Sequence, residues 1–204
     1  MSPLRIGMPS GSLADPKRGG NLIELLEASG FKTSGYDVGG PTRYSTVQFL
    51  YGWDGRPQEF GSQLGLDELD VAIAGDDWIR ERSLELELEF GVKLQLERVL
   101  PLGRGGVRLV GIVDQAFPGQ TAAEVLGELA KTKKLITAVT EMPYLTLDWL
   151  KRELSAAGLA GRYPKHSVQK YRTPPRIPEG LLIYEPWGKT EAKVKNGGAD
   201  LGLE

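Results

Sequence analysis

Polar side chains recur in the turns that follow apolar stretches of this chain. These turns are Ser10-Gly11-Ser12, Arg56, Asp76-Asp77, Thr140-Glu141 and Gly188-Lys189-Thr190-Glu191. Hydroxyls and backbone N–H groups in a small-residue turn can line an anion site, and an Arg beside a Pro can clamp a phosphate. Each turn alone is more often a solvated turn, but the set suits the binding of a polar or anionic small molecule. Catalysis there would rely on positioning and electrostatics rather than on a covalent intermediate.

Several other chemistries are absent from the sequence. It contains no Walker-type phosphate loop, no zinc-ligand spacing and no Gly-x-Ser-x-Gly nucleophile elbow. It also contains no Cys, which excludes disulfides, thiolate metal sites and a thiol nucleophile. No nucleophile–base pair can be assigned, so the catalytic residues stay unknown and no metal site is predicted.

The stretch Leu69–Glu81 holds the clearest junction between a strand and a turn. Its apolar run Val71–Ala74 predicts a strand buried on both faces of a parallel sheet, ended by Gly75. Asp76 and Asp77 follow where a helix should begin, and open α/β sheets bind ligands at the carboxyl ends of their strands. A carboxylate there can instead cap the helix, and the local pattern alone favours capping.

The remaining elements alternate between strands and helices. Further strands are predicted over 4–8, 31–38, 46–53, 93–100, 107–113, 135–140, 181–184 and from 197 onward. Further helices are predicted over 21–29, from the capping box Thr121-Ala-Ala-Glu124, over 147–157 after a Thr146 cap, and over 188–196. Segment 84–89 alternates Leu and Glu and is compatible with either structure. We expect an α/β fold of two lobes with a cleft between them, at 1–102 and 103–204.

The overall composition is that of an ordinary globular protein. The 204 residues are 40% hydrophobic and 25% charged, with a net charge of −2 that favours neither nucleic acid nor an anionic membrane as partner. No apolar run approaches the roughly 18 residues of a membrane span. The amino terminus has no signal-peptide core, so we expect a cytoplasmic protein.

The polar turns also resemble the motifs of a known family, the ATP phosphoribosyltransferases that begin histidine biosynthesis. Residues 4–13 look like the family's strand followed by Pro-Lys-Gly-Arg-Leu, and 56–60 like its Arg-x-x-Asp-Ile-Pro turn. Residues 69–81 are similar to Asp-Leu-Gly-Ile-x-Gly-x-Asp-x-Leu-x-Glu, and 88–91 to Asp-Leu-Gly-Phe-Gly. Further matches lie at 137–146, 188–191 and 198–200. Each match is weak, but their order along the chain is fairly specific and favours Asp76 and Asp77 as cleft residues rather than caps alone.

The resemblance implies a two-lobed periplasmic-binding-protein type II-like fold and a defined reaction. The enzyme would join N1 of the adenine of ATP to the ribosyl carbon of phosphoribosyl diphosphate, releasing pyrophosphate, with Mg²⁺ carried on the diphosphate. A homo-oligomer, with or without a regulatory subunit or domain, is a further expectation. The implied substrate-binding residues are Ser10, Gly11, Arg56, Asp76, Asp77, Thr140, Glu141 and Glu191.

The chain also departs from the family pattern. Ser10 and Ser12 stand where the family has Lys and Arg, and Glu141 stands where it has Lys. The family's phosphoribosyl-diphosphate loop would follow Glu204, so we expect a fragment that ends before the return to the first lobe. A non-catalytic two-lobed module that binds small anions or regulates is the alternative, and a phosphoribosyltransferase for another acceptor is a third reading.

Overall fold

The computed structural model describes residues 3–18, 20–38, 41–47, 50–171 and 173–204. The chain divides into two compact units, Met1–Val107 and Arg108–Glu204. Within the described residues, each unit contains one five-stranded sheet with helices beside it. The fold is therefore α/β in both halves, as the alternating pattern predicts.

The sheet of the first unit is mixed. Its described strands are β1 (Leu4–Pro9), β2 (Thr33–Ser34), β3 (Thr42–Tyr44), β4 (Leu50–Gly55) and β5 (Val71–Ala72). Its helices are α1 (Leu22–Ala28), α2 (Pro57–Gly65) and α3 (Asp76–Phe90). The strand order is β2-β3-β4-β1-β5, with β1 parallel to β4 and β5 and with β3 antiparallel to β2 and β4. The carboxyl ends of β1, β4 and β5 therefore lie at one edge of this sheet.

The core of the first unit lies around β1. Met8 and Phe60 are fully buried, and Leu22 of α1 packs in the cluster that contains Met8. Gly7 of β1 has no side chain, and a Cβ there would lie 2.8 Å from Leu69 Cδ1 and 3.3 Å from a ring carbon of Phe60. Glycine at this position therefore allows α2, which carries Phe60, to pack closely on the strand.

The predicted strand over 71–74 is shorter and less buried than expected. Only Val71 and Ala72 pair, and they pair on one side, opposite Ile6 and Gly7 of β1. Val71 is exposed and Ala72 is half-buried. The prediction of burial on both faces is wrong. The strand β5 is also the last in the strand order, and an apolar run does not reveal how many neighbours a strand has.

The structure settles two segments, 84–89 and 93–100, whose sequence patterns are compatible with strands. Residues 84–89, which were compatible with strand or helix, belong to α3, as the helix propensity of Leu and Glu favours. The strand predicted over 93–100 is wrong, since residues 91–110 contain neither helix nor strand. Val99 and Leu100 are 80% and 69% exposed. An apolar β-prone run forms a strand only where a neighbouring strand can accept its hydrogen bonds.

Two other strands of the first unit differ from their predicted bounds. Within 31–38 only Thr33–Ser34 is a strand, because Gly35 adopts a φ of +91° and a short 3₁₀ turn follows. The strand predicted over 46–53 begins at Leu50, and Gln48 and Phe49 lie outside the described residues. Turn geometry set by glycine therefore shortened the first of these strands.

The sheet of the second unit is mainly parallel. Its described strands are β6 (Gly111–Ile112), β7 (Leu135–Thr140), β8 (His166–Lys170), β9 (Gly180–Glu185) and β10 (Leu201–Leu203). Its helices are α4 (Ala122–Thr132), α5 (Pro143–Ala156) and α6 (Thr190–Lys195). The strand order is β6-β10-β7-β9-β8, and only the β6–β10 pair among these described strands is antiparallel. The strand predicted over 107–113 is thus reduced to a two-residue edge strand.

Helices α4 and α5 confirm most of their local predictions. The hydroxyl oxygen of Thr121 accepts the Glu124 N–H, and the Glu124 carboxylate accepts the N–H groups of Gln120 and Thr121, which lowers the pKa of Glu124. Leu150 and Leu154 are buried as predicted. Among the residues that the structure describes, no helix is long and apolar enough to cross a membrane.

The start of α5 differs from the prediction. The helix begins at Pro143 rather than at Leu147, because proline suits the first position of a helix. Thr146 is therefore an interior residue rather than a cap, and its hydroxyl donates to the carbonyl oxygen of Met142 at 2.8 Å.

Candidate functional site

The parallel strands of the first unit bring its predicted site residues to one sheet edge. Ser10 follows β1, Arg56 follows β4, and Asp76 lies beyond β5 at the start of α3. The backbone N–H of Ser10 donates to the carbonyl oxygen of Gly55 at 2.9 Å, which joins the ends of β1 and β4. This edge is where open α/β sheets place their ligands.

The turns after β1 and β4 leave their polar groups accessible. Gly11 begins a short 3₁₀ turn with φ +83° and is exposed, as is Ser10. Arg56 is also exposed and is the N-cap residue of α2, with Pro57 at the first helical position. An exposed guanidinium beside a helix amino terminus is well suited to a phosphate or carboxylate.

The two aspartates after β5 lie in the first turn of α3, and neither of them is the capping residue. The N-cap is Gly75, where a Cβ would overlap the Asp77 carboxylate. Asp77 Oδ1 accepts the N–H of Trp78 at 2.9 Å. Asp76 is exposed and forms an ion pair with Arg98. The capping interpretation in its simple form is wrong, although both carboxylates favour the helix dipole.

The second unit also gathers its predicted residues at one edge, since β7, β9 and β10 run parallel. Thr140 ends β7 and is 1% exposed, and its hydroxyl oxygen accepts the Met142 N–H at 2.9 Å. Glu141 is exposed, and its carboxylate lies 3.9 Å from the position of a Cβ on Gly188. The turns after β7 and β9 are therefore neighbours, with Glu191 exposed in the first turn of α6.

One residue of this edge was missed by the sequence reasoning. Glu204 follows β10 as Glu141 follows β7. Desolvation, and after it repulsion from Glu191 and Glu141, raises the pKa of Glu204. The three carboxylates are therefore close enough to repel one another, and the edge carries negative charge. The sequence signal for Glu204 is a polar residue directly after a predicted parallel strand, as at Glu141.

Asp54 is a second residue that the sequence reasoning missed. It lies on β4 opposite Met8, and its Oδ1 accepts a hydrogen bond from the Thr42 hydroxyl. Its Oδ2 is buried without a hydrogen-bond partner among the described residues. Burial raises the pKa of Asp54, since a low-polarity environment disfavours the charged form.

The acidic side chains of the described residues do not form a metal centre. In the described part of the chain, no group of three or more His, Cys, Asp or Glu side chains could hold a metal ion. The residues at hand thus do not fit a resident Mg²⁺ held by protein ligands alone. A Mg²⁺ ion that arrives on a diphosphate is part of the substrate and needs no such group.

Two α/β units with polar turns at the carboxyl edges of their sheets define the class of the protein, a two-lobed fold of the periplasmic-binding-protein type II kind. The profile of the ATP phosphoribosyltransferase (HisG) family matches residues 56–202. The chain therefore belongs to the ATP phosphoribosyltransferase family, which confirms the resemblance and the fold class. The match begins at Arg56, so Ser10 and Gly11 lie outside it.

Individual relatives agree with this assignment. The chain is 28% identical over 210 residues to the ATP phosphoribosyltransferase of Trichlorobacter lovleyi, and 27% identical over 205 residues to that of Geotalea uraniireducens. Each match covers 98% of this chain and 54% of the relative, so the chain spans about half the length of these relatives. The structure of an ATP phosphoribosyl transferase (HisG:HisZ) complex from Thermotoga maritima shares the fold. Its TM-score is 0.54 at 14% identity, covering 98% of this chain and 73% of that chain.

Proposed function

We propose that this chain carries out, or contributes the substrate-binding part of, the ATP phosphoribosyltransferase reaction of histidine biosynthesis. ATP and phosphoribosyl diphosphate would be condensed to phosphoribosyl-ATP and pyrophosphate. The single observation that carries the proposal is the family match over 56–202. The gathering of polar turns at the carboxyl edge of each sheet supports it.

In this proposal the reaction is a displacement at the ribosyl carbon. Adenine N1 supplies the electron pair for the new bond, and the diphosphate leaves with the pair of the broken bond. The chain's own groups bind and orient the two substrates, because no nucleophile–base pair is assigned. The catalytic residues stay unassigned.

The roles of the individual residues are proposals of the same kind. From the first unit, Arg56 contacts a phosphate or the purine, Asp76 and Asp77 anchor polar groups, and the turn Ser10-Gly11 offers backbone N–H groups. From the second unit, substrates meet the turns that contain Thr140, Glu141 and Glu191. We propose Asp76 as the main polar anchor because its side chain is exposed at the start of α3.

The surroundings of the reaction follow from the family. Mg²⁺ would arrive on the diphosphate, and the protein would work in the cytoplasm as a homo-oligomer. The Thermotoga maritima structure is titled as a HisG:HisZ complex. We therefore include a second, HisZ-like type of subunit among the proposed partners.

A non-catalytic binding or regulatory module is the second candidate, and the acidic edge favours it. Glu141 and Glu191 repel Glu204 at the edge of the second sheet, where the resemblance places polyphosphate-binding turns. The serines at 10 and 12, in place of the family's Lys and Arg, remove positive charge from the first unit as well. Such a module would bind a small molecule without turnover.

Titration and turnover assays separate the two candidates. The full-length protein is titrated calorimetrically with ATP and with Mg²⁺–phosphoribosyl diphosphate, and pyrophosphate release and phosphoribosyl-ATP are measured with both present. Pyrophosphate release together with phosphoribosyl-ATP supports the enzyme, whereas binding of a small molecule without turnover supports the module. Pyrophosphate release only when another acceptor replaces ATP would assign a different phosphoribosyltransferase.

Variants test the edge of the first unit. Arg56→Ala should weaken substrate binding about 10- to 150-fold, the range expected for one lost hydrogen bond to a charged group. Arg152→Ala is the matched control, because Arg152 is an exposed arginine of α5 that pairs only locally with Asp148. Equal substrate affinity in Arg56→Ala and the wild type would remove Arg56 from the proposed site.

A further inference from the structure

Trp187 is the most exposed large apolar side chain in the described part of the chain, at 85%. It follows β9, between the buried Pro186 and Gly188, which has a φ of +68°. An indole this exposed leaves a large apolar surface in water. This surface lies directly before the turn 188–191, at the sheet edge where the proposed substrates bind.

The indole is held in place by a second aromatic residue. Tyr171 follows the neighbouring strand β8, and its ring lies edge-on to Trp187 at a centroid distance of 5.5 Å and an angle of 71°. The Trp187 Nε1–H donates to the Tyr171 hydroxyl. The main chain of Tyr171 is joined to β9, because its N–H donates to the carbonyl oxygen of Glu185 at 2.9 Å. The indole therefore has a side-chain partner in the absence of ligand, and a side chain with fewer free rotamers loses less entropy on binding.

We propose that Trp187 and Tyr171 form an aromatic shelf on which the adenine ring of a nucleotide stacks. The edge-on tyrosine supports the indole while leaving most of its surface open, as the 85% exposure of Trp187 shows. Every nucleobase offers a flat π-face to such a surface. The choice of adenine rests on the proposed function, whose acceptor is ATP.

The charge at this edge also favours a base over a phosphate. Glu141, Glu191 and Glu204 repel anions but do not oppose an uncharged heteroaromatic ring. Lys189, two residues after Trp187, is exposed and is the N-cap residue of α6. A nucleotide whose base stacks on the shelf could direct its phosphates toward this lysine rather than toward the glutamates.

Two ligands and a small set of variants test the shelf. The full-length protein is titrated calorimetrically with ATP and with inorganic tripolyphosphate, which has similar charge but no base. Trp187→Ala should weaken ATP binding by roughly 5- to 150-fold, the loss expected for one base–aromatic stack, and leave tripolyphosphate binding unchanged. Trp187→Phe should retain most of the ATP affinity. Phe90→Ala is the matched control, since Phe90 is 68% exposed at the end of α3 in the other unit.

Fluorescence provides a readout that loss of structure alone would not give. Trp187→Phe should lose most of the ATP-induced change in tryptophan emission while calorimetry still shows ATP binding, although the other three of the four tryptophans remain. Wild-type ATP affinity in Trp187→Ala would overturn the shelf, and so would an equal loss of ATP and tripolyphosphate binding. If ATP binding depends on Trp187 but no phosphoribosyl-ATP forms, the shelf stands and the proposed reaction fails. If phosphoribosyl-ATP forms and the affinity for ATP does not depend on Trp187, only the shelf fails.

Discussion

Gly180 begins β9, the strand that leads to the turn 188–191, and Gly180→Ala should destabilise the second unit strongly. The residue adopts a φ of +116°, which residues with a side chain rarely adopt. A Cβ there would overlap the carbonyl oxygen of Lys165 and lie 2.8 Å from its carbonyl carbon. That oxygen also accepts the Leu181 N–H at 2.9 Å, so backbone rather than a flexible side chain would have to move.

The size of the effect follows from these contacts. A side chain held in this backbone conformation costs about 1–3 kcal/mol, and loss of the hydrogen bond to Lys165 costs about 0.5–1.5 kcal/mol more. We therefore expect the free energy of unfolding to fall by about 1.5–4.5 kcal/mol. For a chain of this size that corresponds to a decrease in Tm of about 10 °C.

Thermal and urea unfolding, followed by circular dichroism, measure the change. Gly127→Ala is the control, because Gly127 lies inside α4 and a Cβ there would meet no atom within 4 Å. Gly127→Ala should raise the free energy of unfolding by about 0.5–1 kcal/mol, because alanine favours a helix more than glycine does. A Gly180→Ala protein that melts within one or two degrees of the wild type (about 0.5 kcal/mol) would refute the argument.

Three further predictions concern single side chains. Thr121→Ala removes the hydroxyl that accepts the Glu124 N–H, so it should lower the free energy of unfolding by about 1 kcal/mol in urea, whereas Thr121→Ser should not. Burial raises the pKa of Asp54, so the stability that this residue contributes is present below the ordinary value of 3.8 and is lost as pH rises through the raised pKa. The Tm of Asp54→Asn minus the Tm of the wild type should therefore increase as pH rises from acid to neutral. A Tm difference that stays constant with pH would contradict this. Glu141→Gln should lower the pKa of Glu204 in an NMR titration but leave it above its ordinary value, because desolvation is the larger cause.

The predictions that succeeded rest on interactions within one segment. The capping box at Thr121 needs only residues three positions apart, and the apolar spacing of Leu150 and Leu154 defines the buried face of α5 without reference to other elements. The strand over 135–140 is likewise marked by its own β-branched run. Local hydrogen bonds and side-chain periodicity are written in the sequence itself.

The predictions that failed depend on partners distant in the sequence. The run at 93–100 has strand composition but forms no strand, and 71–74 is a short edge strand rather than a buried one. Whether such a segment pairs, and on how many sides, is decided by the neighbouring strands that the fold supplies.

The same distinction applies to the candidate site. The sequence by itself determined the family and the polar turns that follow each strand, because these are matters of residue type and order. Only the tertiary structure decided which turns become neighbours. The order β10-β7-β9 places Glu204 near Glu141 and Glu191, and the pairing of β8 with β9 brings Tyr171 to Trp187. Residues so far apart in the chain meet because parallel pairing aligns the carboxyl ends of their strands.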